Sequence, residues 1–199
     1  MKKKQELTIA VAILLATIVG ANILQLSLVS VNPIHAYVQQ GQSPENLGLV
    51  LDGMLKAYFL GPDGREFIRS FPRKGWPVAP IGAQLEGLKS DITIRALQDS
   101  TVATINFCDF RSLLQRHSCW KDLALKTTEK ILVLRERREQ LFLVMDARER
   151  YDYVRRHEPD LLVSVAGYEL AAYLGISPVS LSRIRKQMVK KSLPNVVAR

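Results

Sequence analysis

From Leu7 to Val31 the chain is almost wholly apolar, and no Asp, Glu, Lys or Arg occurs between Leu7 and Pro44. A stretch of this length suits a bilayer-crossing helix. Lys2, Lys3 and Lys4 in front of it fit a signal anchor, or a signal peptide with a weak cleavage site near Ala36. Gly20, Asn22, Gln25, Ser27 and Ser30 interrupt its second half. The pattern therefore leaves several readings open: a membrane anchor over Leu7 to Val31, a buried helix or strand pair of the following domain, or an aberrant start on a truncated domain.

From Tyr37 the period shortens to that of strands. LGLVLDG and MLKAYFL flank Asp52 and Gly53, a good hairpin-turn pair. GPDG at 61–64 is a second turn, and REFIRSF returns from it. DITIRALQ and STVATINF lie on either side of Asp99 and Ser100. This spacing predicts an antiparallel β-roll or barrel rather than βαβ units. Residues 72–90 are rich in Gly and Pro and read as a loop with one helical turn.

At Asp109, read as an N-cap, the period becomes helical. No Pro or Gly interrupts Trp120 to Met145, and Thr127, Ile131, Leu134, Arg138, Leu141 and Met145 form a stripe at 4-3-4-3-4 spacing with one basic break. The stripe is read as a dimer seam, with packing on the chain's own core as the alternative. A shorter helix, DARERYDYVRRHE, is closed by Pro159.

Charge alters this picture. Residues 1–110 carry 10 Lys/Arg against 9 Asp/Glu, whereas residues 111–199 carry 18 against 10, out of a net +9. A basic half beside a neutral half points to a module that faces a polyanion. The cysteines, Cys108 and Cys119, and the histidines, His35, His117 and His157, have no metal-ligand spacing, so no metal or cofactor is expected. No nucleophile–base pair or phosphate loop appears, and an enzyme is not expected.

The basic half ends in a helix-turn-helix frame. With Gly167 as its first position, Leu170, Leu174, Ile176, Leu181 and Ile184 fall where two short helices face each other. Ala171 takes the close approach and Gly175 the turn, where positive φ is needed. Ser177 N-caps the second helix and Pro178 stands at its first position. That helix enters a major groove N-terminus first, with Val179, Ser182 and Arg183 outward. Arg183 suits bidentate contact with a guanine. Ser177 and Ser180 suit phosphate or base edges. Arg185, Lys186, Lys190 and Lys191 suit phosphates.

The order β-roll, long helix, helix-turn-helix resembles the Crp/Fnr regulators. The resemblance is carried by ARERYDYVRRHEPDLL with ELAAYLGISPVSLSRIRK within residues 147–186, and by GQSPENLGLVLDGMLKAYFLGPDGREFIRSF at 41–71. It implies an α+β chain: an antiparallel, jelly-roll-like β-roll, a long dimerisation helix and a C-terminal winged-helix-type helix-turn-helix. The expected segments are an apolar N-terminus at 1–36, a cyclic-nucleotide-binding-like roll at 37–108, a connecting helix at 109–146 and the DNA-binding domain at 147–199. It implies a cytoplasmic homodimeric transcription regulator on double-stranded DNA, with RNA polymerase as a further partner. The alternative is a regulator or sensor anchored in the inner membrane. The family's cAMP-binding members hold the cyclic phosphate with an Arg; that position falls near Ser90 here, its neighbour near Asp91, and no Gly-Glu pair occurs in 72–90. A carboxylate there repels phosphate, so the effector is expected to be something other than cAMP. Val179 replaces a Glu common in relatives, so the target sequence should differ.

Overall fold

The structure, a computed structural model, describes residues 26–192. The chain divides into two compact units: the first runs up to Leu60 and resumes over Arg69–Leu123, and the second takes Gly61–Ile68 and everything from Ala124.

The first unit contains two four-stranded antiparallel sheets. Their strands are β1 (Ser27–Val31), β2 (Ala36–Val38), β3 (Asn46–Asp52), β4 (Leu55–Leu60), β5 (Glu66–Ser70), β6 (Pro77–Val78), β7 (Thr93–Ala96) and β8 (Ser100–Asn106). One sheet has the order β1-β8-β3-β6 and the other β2-β7-β4-β5. Their facing sides supply the core: Val31, Val38, Val50, Leu55, Ala57, Val78, Ile92, Ile94, Ala96 and Val102, with Tyr37 against it. This is the β-roll that the short alternating runs predict.

Two expectations are corrected here. Asp52 and Gly53 are not a hairpin turn, because β3 pairs with β8 and β6 while β4 belongs to the other sheet. The pair is a corner between sheets. Gly53 has φ +87, and a Cβ there would stand 2.7 Å from the Ser100 Cα. Ser100 starts the matching corner from β7 to β8, and its Oγ accepts from Met54 N at 3.1 Å. The two corners are thus stitched together, which local turn propensity does not reveal. The membrane reading of Leu7 to Val31 is corrected at its end: Ser27–Val31 is a strand, paired residue for residue with β8 from Ser27↔Thr104 to Val31↔Ser100. The apolar stretch therefore contributes to the roll, and its Val31 reaches the core. Residues 7–25 lie outside the described residues, among which no helix is long and apolar enough to cross a membrane.

The helices are α1 (Ile81–Glu86), α2 (Phe107–Arg116), α3 (Ser118–Val144), α4 (Ala147–His157), α5 (Pro159–Ser164), α6 (Gly167–Leu174) and α7 (Pro178–Ser192). The N-cap of α2 is Asn106, whose side chain accepts from Cys108 N; Asp109 sits in the first turn instead, where its charge favours the helix dipole. Asp146 ends the run of α3 and opens α4 with a capping box, accepting from Arg148 and Glu149 N at 2.8 Å while Glu149 accepts from Asp146 N at 2.9 Å.

On α3 the predicted stripe is the less exposed side. Thr127, Ile131, Leu134 and Arg138 are half-buried and Leu141 is buried. Leu123, Leu125, Leu132, Val133, Phe142, Leu143 and Val144 are the large apolar residues exposed on that helix.

Candidate nucleic-acid interface

Helices α6 and α7 form the tight pair that the sequence frame predicts. Leu170 and Ala171 are fully buried, and Leu174, Leu181 and Ile184 nearly so. Gly175 takes φ 69 and ψ 34, and its N–H bonds to the carbonyls of Ala171 and Ala172. Ile176 N also donates to Ala171 O. These bonds close the C-terminal end of α6, and only a residue at ease with positive φ permits them. Ser177 Oγ accepts from Ser180 N at 3.1 Å, the capping bond expected of it.

The outer face of α7 carries Val179, Ser182, Arg183, Lys186 and Gln187, all exposed. Gln187 was missed by the sequence reading, although it follows Arg183 by one helical turn and the 3.6-residue period identifies it. Ser177 and Ser180 share a hydroxyl–hydroxyl bond of 2.9 Å, and Ser180 is half-buried. Arg185 is turned back: it is half-buried, with its guanidinium 5.9 Å from the Tyr151 ring centroid. The side chains of Lys190 and Lys191 lie outside the described residues.

Behind this face is a cationic and aromatic cluster. Arg138 of α3 donates from Nη2 to Ile68 O at 2.7 Å and to Tyr173 O at 3.1 Å. Its guanidinium lies 4.2 Å from the Tyr173 ring centroid and 4.8 Å from that of Phe142. Arg150 stands over Phe142 as well, at 4.8 Å. Tyr173 OH donates to Glu158 at 3.1 Å. Burial lowers the Arg138 pKa, while Tyr173 and Glu158 act to raise it. Burial, then the Glu158 charge, pushes the Tyr173 hydroxyl up to about 12. Cys108 and Cys119 are free and exposed, and no group of three or more metal-ligating side chains occurs among the described residues.

Residues 29–117 match the family model of the cyclic nucleotide-binding domain. FixK2 from Bradyrhizobium japonicum is similar in structure, with a TM-score of 0.70 at 19% identity over 87% of this chain and 90% of that one. A protein of Eubacterium rectale placed among the Crp/Fnr transcriptional regulators matches with a TM-score of 0.65 at 13% identity, over 85% of this chain and 81% of its own. The chain has the Crp/Fnr fold. The c-di-GMP-responsive global regulator CLP of Xanthomonas campestris shares this fold, with a TM-score of 0.64 at 19% identity over 89% of this chain and 91% of that one. No curated protein shows significant sequence similarity to the chain.

The matched family model is that of a cyclic nucleotide-binding domain, and the sequence reading sets its phosphate position near Ser90 and Asp91. Ser90 is buried, with Oγ donating to Ile92 O at 2.7 Å and accepting from Ile92 N at 3.3 Å. Its backbone is engaged by Gly41 and Gln42, both at 2.8 Å. Asp91 beside it is an exposed carboxylate. A cavity of about 170 Å³ lies between Tyr37 and Asn46, with Glu45 among its lining residues.

Proposed function

We propose that this chain is a sequence-specific DNA-binding transcription regulator that acts as a homodimer and is not gated by cAMP. The observation that carries the reading is the α6–α7 pair: a close-packed inner face, and an outer face of α7 presenting Val179, Ser182, Arg183 and Lys186 to solvent. Arg183 reads a base edge, with Val179 making an apolar contact such as a thymine methyl offers. Lys186 serves phosphates. Ser177 caps α7, and its hydroxyl, bonded to that of Ser180, stands at the N-terminal end of the helix for a phosphate contact. Arg185 supports α7 from behind and adds positive potential rather than a base contact. The winged-helix-type assignment of residues 147–199 rests on α6 and α7 alone; residues 193–199 lie outside the described residues.

Leu125 and Leu132, 59% and 55% exposed and two helical turns apart on α3, favour pairing with the same helix of a second copy. Two recognition helices on a two-fold axis imply a palindromic target. RNA polymerase is then the natural further partner on DNA.

Selection from a random duplex pool with the full chain tests this reading. Enrichment of one palindromic consensus supports it. Retention of every duplex alike, with affinity set only by salt, sinks it.

A further inference from the structure

Where α3 ends and α4 begins, the second compact unit holds a cavity of about 360 Å³, lined by Arg137, Gln140, Leu141, Met145, Tyr153 and His157. The capping box at Asp146 opens α4 directly after Met145, so the two helices meet at a sharp corner. Arg137, Gln140 and Leu141 stand at i, i+3 and i+4 and share one face of α3; Tyr153 and His157 share a face of α4 at i, i+4. Leu141 is buried and Met145 half-buried, whereas Arg137, Gln140 and His157 are exposed. The cavity thus has an apolar floor and a polar rim. That is the anatomy of a small-ligand site, and the volume falls at the lower end of the roughly 300–1,000 Å³ such sites span.

Two features give the chemistry of the ligand. The Tyr153 and His157 rings are stacked, 4.2 Å between centroids and 20° from parallel. His157 Nδ1 lies 3.0 Å from Tyr153 O; a carbonyl only accepts, so this nitrogen carries a proton and the bond holds the ring in place. The wall is therefore formed before anything binds, and with the Met145 sulfur it favours a flat aromatic body. Arg137 supplies the charge. Its side chain has neither a hydrogen bond nor an ion pair to another described residue, and among the described residues no carboxylate lines the cavity. A guanidinium fork matches the two oxygens of a carboxylate.

We infer that this cavity binds a small aromatic carboxylate, its ring against Tyr153, His157 and Met145 and its carboxylate on Arg137. Leu141 follows Leu132 by nine residues, a rotation of about 180° around the helix. The cavity is thus on the side of α3 opposite Leu125 and Leu132, and a second copy paired through those leucines would not cover it. The site does not depend on what α7 reads.

Titration of the full chain with naphthoate, read by NMR at isotope-labelled methionine methyls, tests this. The Met145 signal, assigned through Met145→Leu, is expected to move and saturate, while that of Met54, buried in the roll, stays in place. Naphthylmethanol, which keeps the rings and lacks the charge, should bind about tenfold more weakly, as loss of a charge-assisted pair implies. Arg137→Gln, on the exposed rim, should weaken naphthoate by the same factor and leave naphthylmethanol unchanged. Gln140→Trp, also on the rim, should fill the cavity and abolish the saturable shift, with an unmoved Met54 signal showing that the fold is kept. A Met145 signal unmoved by millimolar naphthoate overturns the inference. So does equal movement of Met54, equal binding of naphthoate to the parent and Arg137→Gln, or equal binding of the saturated analogue decalincarboxylate.

Discussion

Gly175 and Phe142 meet so closely that a Cβ added to Gly175 would stand 2.9 Å from Phe142 Cε1. The turn between the two helices is thus constrained twice: by its backbone, at φ 69, and by the ring beneath it. Gly175→Ala should destabilise the chain by about 2 kcal/mol or more, combining left-handed strain with overpacking. Adding Phe142→Leu should relieve only the steric part. Urea denaturation of the two single variants and the double then gives an interaction energy of about 1 kcal/mol in favour of the double. Simple additivity would mean that the ring does not press on the turn.

Two buried tyrosines make opposite predictions. The Tyr37 hydroxyl is buried without a hydrogen-bond partner, and burial pushes its pKa up to about 12. The Tyr173 hydroxyl donates to Glu158. Tyr37→Phe should leave stability within about 0.5 kcal/mol of the parent or raise it, whereas Tyr173→Phe should cost about 1–2 kcal/mol. Thermal melts of both variants check the contrast, and an equal loss in the two would contradict it.

On α4 the Asp152 carboxylate accepts from Arg155 at 2.7 Å and pairs with Arg156. The Arg155 hydrogen bond, helped by the Arg156 charge, holds its pKa below the ordinary aspartate value. A depressed folded-state pKa stabilises above the unfolded value and is lost as pH falls through the folded one. The melting temperatures of the parent and Asp152→Asn should therefore differ at neutral pH and converge in acid. A constant difference across the titration would rule out the pairing as its source.

Arg183 and Lys186 should separate by what they do to specificity. Arg183→Ala is expected to cost about 1–3 kcal/mol on the selected duplex and to relax one base position. Lys186→Ala should weaken all duplexes alike and lower the salt slope by about 1. Titrations at several salt concentrations, on the selected and a scrambled duplex, distinguish the two patterns. Loss of sequence preference on Lys186→Ala instead would reverse the roles.

Local chemistry determined much of this protein in advance. The α6–α7 pair follows from residues within one short window: Ala171 at the close approach, Gly175 in the turn, Ser177 and Pro178 at the cap. Each of these acts through its own backbone or its near neighbours, so the sequence alone specifies it. The strands are equally legible, because alternation marks them one at a time. What alternation cannot carry is partner choice. Asp52 and Gly53 look like a hairpin, yet the chain turns a corner there, because Ser100, distant in sequence, supplies the bond that fixes Met54. Ser27–Val31 reads as membrane because an apolar strand and an apolar span share a composition; pairing with β8 made it a strand. Arg138 was a break in a stripe until Ile68 and Tyr173 brought two carbonyls to one guanidinium. In each case the deciding partner is remote along the chain, and only the tertiary structure brings it near.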